Sequence, residues 1–176
     1  WLAVLWVLPA SSQVSLSKSE RDGQPIYVIE NKYVRSEIAY TRARSPLSYF
    51  DKITQVEQLR QLAPLNGNHG KHTSHGGVAE AVPWTGGYMG YLWTQPWQMT
   101  ARTYDDHVVL TGEITFPYPD PVTGRLAELR FQKTMTAYDG STRLKMDYRI
   151  ENVGDGPARF QHCVHGSPCV GGACDD

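Results

Sequence analysis

The sequence predicts an all-β protein, a large antiparallel β-sandwich that is incomplete at its C-terminal end. Three observations carry that expectation. Leu144, Met146, Tyr148 and Ile150 alternate with Arg143, Lys145, Asp147, Arg149 and Glu151, which is the period-2 signature of a strand with one face on a core and one in water. Asp139-Gly140 separates that stretch from the long run 126–138, and such a dipeptide is a hairpin signal. The 16 Gly, 11 Pro, 10 Tyr and 5 Trp among 176 residues suit a turn-rich sheet protein better than a helical bundle.

Taken in order, residues 1–10 are apolar and Ser11-Ser12-Gln13 follows. Residues 1–12 read as the remnant of a signal peptide, with Ala10 and Ser12 at the small positions of a cleavage site; a buried first strand is the plain alternative. The stretch is too short to span a bilayer as a helix, and the reading predicts a secreted or periplasmic protein. Residues 13–24 are polar and read as a flexible lead-in. Residues 25–176 read as one partial domain, since the length supports one core rather than two. Within it, residues 25–30 are β-branched and aromatic, Asn31-Lys32 breaks the run, and residues 33–40 pair back. Residues 47–50 form a further short strand.

Val56, Leu59 and Leu62 fall at helical spacing, which predicts a short helix over 55–62. Residues 64–77 form a long polar loop of the functional or disordered kind. Residues 107–116 read as a strand and 117–124 as a turn-rich connection. The run 126–138 is a long strand with Leu129, Phe131, Met135 and Ala137 on one face. Residues 152–157 turn the chain, and 159–164 begins one more strand with no evident closing partner.

A formal net charge of -1 leaves no footprint for nucleic acid or an anionic membrane surface. The three cysteines, Cys163, Cys169 and Cys174, crowd into the last fourteen residues. An odd count in an exported chain predicts a free thiol or a partner elsewhere; Cys169 and Cys174 are spaced to close a small loop.

Three stretches carry candidate chemistry. Residues 66–77 hold Asn68, His69, His72 and His75 among glycines. Imidazole is the side chain best suited to move a proton near neutral pH, though a solvated polar loop explains the same residues. In Gln161-His162-Cys163-Val164-His165, strand alternation puts His162 on one face and Cys163 with His165 on the other. One of the two histidines is therefore placed to enter a cavity, against the plain alternative of a core or surface histidine. Trp84, Tyr88, Tyr91, Trp93 and Trp97 are interleaved with glycine and proline. Such rings stack on the C–H faces of sugars, or fill a core. Neither C-x₂-C nor H-E-x-x-H occurs, so no metal and no cofactor are expected. A G-x-S-x-G elbow and a P-loop are also absent.

Ser74-His75-Gly76-Gly77, followed by Val78 and Pro83-Trp84, resembles a segment of the aldose 1-epimerases (galactose mutarotases). Residues 29–34 resemble that family's opening strand. Tyr49-Phe50-Asp51-Lys52 is similar to the turn after its glycine-rich strand, with Arg44-Ser45-Pro46 standing where relatives carry Gly-Gly. Residues 144–157 resemble the strand and turn before the family's second histidine. That histidine falls on His165, with Gly166-Ser167-Pro168 in place of Ser-Tyr-Phe.

The resemblance implies a super-sandwich with a sugar-binding cleft. In it His165 would protonate the sugar ring oxygen as general acid and His75 would hydrogen-bond the sugar. Asn68, His72, Trp84 and Trp93 are the candidate sugar contacts beside them. The family's general base is a late glutamate with no counterpart among these residues, so the chain alone is expected to lack turnover. Two functions stand open: an aldose 1-epimerase-like isomerase, and a non-catalytic sugar-binding or accessory domain of an exported polysaccharide-processing protein. The expected partner is a small sugar or glycan.

Overall fold

The computed structural model describes residues 13–39, 46–60, 77–82, 92, 96–120 and 122–169. These residues build three antiparallel sheets, and the fold is all-β, as expected. The first sheet is a meander of five strands in the order β1 (Ser15–Arg21), β2 (Gln24–Glu30), β3 (Val34–Ala39), β4 (Ser48–Asp51) and β5 (Val56–Glu57). The second has the order β10 (Leu144–Asn152), β9 (Leu126–Tyr138), β8 (His107–Pro119) and β7 (Gln98–Thr103). The third pairs β6 (Gly77–Ala81) with β11 (Cys163–Ser167).

Two segments differ from expectation. The polar lead-in contains strand β1. Its Ser, Lys and Arg side chains are mostly exposed because it is an edge strand, and charge on an edge discourages pairing with other chains. A two-residue turn, Asp22-Gly23, with φ of 53° and 72°, joins it to β2 as tight hairpins require. Over the described part of the expected helix, residues 55–60, stands β5 instead, followed by a bridge from Leu59 to Pro168. Three apolar residues at helical spacing are too few to nucleate a helix on their own. The remnant assigned to residues 1–12 lies outside the described residues.

The first two sheets pack face to face. Val14, Tyr27, Ile29 and Ile38 meet Val108, Leu110, Met135 and Ala137 in one apolar cluster. A second cluster joins Val82 and Leu92 to Ile114, Phe116, Tyr118, Leu129 and Phe131. Each fully buried Leu, Ile or Phe in these layers contributes about 1.5–3 kcal/mol. The inner face of β9 is the one read from the sequence, with Lys133 inserted between Phe131 and Met135.

The turn from β8 to β9 is held by Asp120, which is buried. Its Oδ1 accepts N–H bonds from Thr123 at 2.8 Å and Val122 at 3.0 Å, and its Oδ2 accepts from the Arg159 N–H at 3.0 Å. These donors, Thr123 first, hold its pKa at about 2, below the ordinary 3.8. A depressed carboxylate stabilises the fold above its unfolded pKa, and that contribution is lost as pH falls from about 4 toward 2. Asp120→Asn keeps one acceptor but turns an NH₂ toward a donor. Its acid unfolding, followed by circular dichroism, is expected to begin at higher pH than in the wild type. Superimposable acid transitions would refute this role.

Candidate functional site

The β6–β11 pair brings together segments far apart in sequence. Its register sets Cys163 opposite Ala81, Val164 opposite Glu80, His165 opposite Ala79 and Ser167 opposite Gly77. Residues 58–60 lace across its end. The Arg60 N–H donates to Ser167 O at 2.8 Å, Gly77 N–H donates to Arg60 O at 3.1 Å, and Cys169 N–H donates to Gln58 O at 2.8 Å.

His165 is exposed on β11. His75, Asn68, His72, Trp84 and Trp93 lie outside the described residues. Cys163 carries a free thiol, and Cys169 is disulfide-bonded. Among the described residues no three His, Cys, Asp or Glu side chains are grouped to hold a metal ion. No helix among them is long and apolar enough to cross a membrane.

Side chains opposite one another in an antiparallel pair share a face. His165 therefore shares a face with Ala79, and Glu80 projects to the other, inner side. There Glu80 (0% exposed) meets Lys133 (1% exposed) of β9. The Lys133 ammonium donates to Glu80 Oε1, and the Tyr148 hydroxyl donates to the same oxygen at 2.8 Å. Lys133 Nζ also lies 5.7 Å from the centre of the Tyr148 ring, within cation–π range. Lys133 and Tyr148 are directly paired across β9 and β10, so strand register alone sets them side by side.

Burial pushes the Glu80 pKa up and the Lys133 pKa down, each opposed by attraction to the other. Burial and the Glu80 carboxylate push the Tyr148 phenol up, so it remains a hydrogen-bond donor throughout the physiological range.

His162, just before β11, is exposed overall but turns one side of its ring to this inner side. Its ring packs edge-on against Phe131 and Tyr148, with centroids 5.5 and 5.4 Å away. Partial desolvation against these rings lowers its pKa and favours the neutral imidazole. Of the two histidines separated by strand alternation, His162 is thus the one turned toward a buried polar cluster, while His165 faces outward.

Glu80, Lys133 and Tyr148 are absent from the candidates that the sequence suggests. The signal for two of them is a charge in an apolar register: Lys133 within the Leu129–Ala137 face, and Glu80 within Val78-Ala79-Glu80-Ala81-Val82. No protein-family model and no curated protein matches the chain.

Proposed function

We propose that this chain is an exported carbohydrate-binding domain of the aldose 1-epimerase kind. His165 faces the sugar as proton donor to its ring oxygen, and the segment carrying His75 supplies hydrogen bonds. One observation carries the reading: β6, which follows the His75 segment directly in the chain, pairs with β11, the strand that bears His165. Ring opening requires an acid and a base on opposite sides of a sugar, and an exposed imidazole on β11 is suited to supply one of the two. The disulfide at Cys169 suits an oxidising, extracytoplasmic compartment.

A second reading, binding without turnover, is favoured by a specific contact. The carboxylate nearest the pair in sequence, Glu80, is committed to Lys133 and Tyr148 on the inner face. It is not placed to act as base for a sugar at His165.

Proton NMR of freshly dissolved α-D-galactose with the protein tests both. Saturation transfer to the sugar is expected, and His165→Ala should weaken binding about tenfold, the loss of one good hydrogen bond. Anomerisation faster than in buffer selects the isomerase. Binding at the buffer rate selects the non-catalytic domain. No transfer to any neutral sugar removes both.

A further inference from the structure

We infer that the domain takes an acidic sugar, a hexuronate residue, in a hollow between the margins of the two large sheets. The inference goes beyond the carbohydrate reading above: it assigns a second site, on the other side of β6 from His165. The hollow has a volume of about 460 Å³, within the range of about 300–1,000 Å³ usual for small-molecule sites. Its wall is apolar, made by Leu59, Val78, Leu144 and Met146, and Tyr49 adds an aromatic ring and a hydroxyl. It lies on the Glu80 side of β6, since Val78 alternates with Glu80 and away from Ala79 and His165, so it is a second site, distinct from the one at His165.

The charge on its lining has one sign. Arg143 and Lys145 line it, and no carboxylate does among the described residues. Lys145 is partly neutralised by Asp147 at 2.8 Å. Arg143 is exposed and makes no ion pair with the described residues; its backbone N–H bonds to Ser141 Oγ at 3.1 Å. A guanidinium beside an apolar wall matches an occupant with a C–H-rich face and a carboxylate at one edge. A pyranose carrying a C6 carboxylate is that shape, and Arg is the side chain that binds a carboxylate through two parallel bonds. A neutral hexose offers the same apolar face but leaves Arg143 unused.

The test compares sodium D-galacturonate, D-galactose and sodium butyrate by titration calorimetry on the intact chain, at two salt concentrations. Galacturonate is expected to bind at least tenfold more tightly than galactose and butyrate, with affinity falling as salt rises. Arg143→Gln should remove most of that preference and leave galactose affinity unchanged. Arg143 is exposed, so the variant should fold; Val78→Trp, which fills the hollow, should weaken galacturonate as an independent check. Equal affinity for galacturonate and galactose, or an Arg143→Gln variant with the wild-type preference, overturns the inference. If butyrate matches galacturonate, the hollow is a plain carboxylate site and the inference also fails. In each of these cases the effect of His165→Ala on galactose still decides the carbohydrate reading separately.

Discussion

Lys133→Met is expected to destabilise the fold by about 3–5 kcal/mol, a fall in Tm on the order of 10 °C for a domain of this size. The reason is the partner left behind. Glu80 is fully buried, and its Oε1 accepts from both Lys133 and Tyr148. Methionine fills much of the space of the lysine stem between Phe131 and Met135, so the loss is electrostatic rather than a matter of volume. Without the ammonium, Glu80 either stays charged in an apolar layer or takes up a proton, and both options cost free energy.

The opposite outcome is expected when the polar set is removed together. In Glu80→Leu/Lys133→Met/Tyr148→Phe no buried charge or hydroxyl remains without its acceptor, and stability should return to within about 1–2 kcal/mol of the wild type or exceed it. Urea unfolding of the single and triple variants measures both. A Lys133→Met protein as stable as the wild type would mean that the buried pair contributes nothing to holding β6 against β9. The ion pair is therefore a device of position more than of net stability: it fixes which residues of β6 face the sheet, and so which face presents His165.

Where the sequence is legible, a physical pattern is strong and local. Strands β9 and β10 and the turn between them coincide with the expected ranges, because one face of each meets a core and alternation follows from that contact. Strand β8 runs on through Pro117 and Pro119. The sequence places those two prolines in a turn, yet proline is tolerated where a strand lacks a neighbour on its N–H side. Strand β7, with Gln98, Thr100 and Arg102 exposed, is an edge strand like β1, and neither shows alternation because neither has a fully buried face.

The site is less legible for a related reason. Alternation separates His162 from His165, but it cannot say which face is inside; that is decided by Phe131 and Tyr148, contributed from residues 31 and 14 positions earlier in the chain than His162. A charged residue in an apolar series, as at Lys133 and Glu80, is the one local sign of the buried pair. It names the residues without naming the partner.

Gly77→Ala is expected to unseat strand β6, at a cost on the order of 3 kcal/mol or more. Gly77 has φ of 76°, and a Cβ there would stand 2.5 Å from the backbone oxygen of Pro46. That oxygen cannot easily retreat, because it accepts the Val78 N–H at 2.9 Å, while the Gly77 N–H is bonded to Arg60 O. Moving the strand away would break the bonds that join β6 to the lacing segment and, through it, to β11.

A control separates the two penalties. Gly23 has a similar φ of 72°, but nothing lies within 4 Å of the place a methyl group would take there, so Gly23→Ala should cost only the left-handed backbone term of about 1–2 kcal/mol. If β6 carries the sugar site, Gly77→Ala should also lose binding of galactose and galacturonate, while Gly23→Ala keeps both. Equal losses of stability in the two variants would show that the close approach to Pro46 exerts no constraint. Retained sugar binding in a folded Gly77→Ala protein would move the site away from the β6–β11 pair.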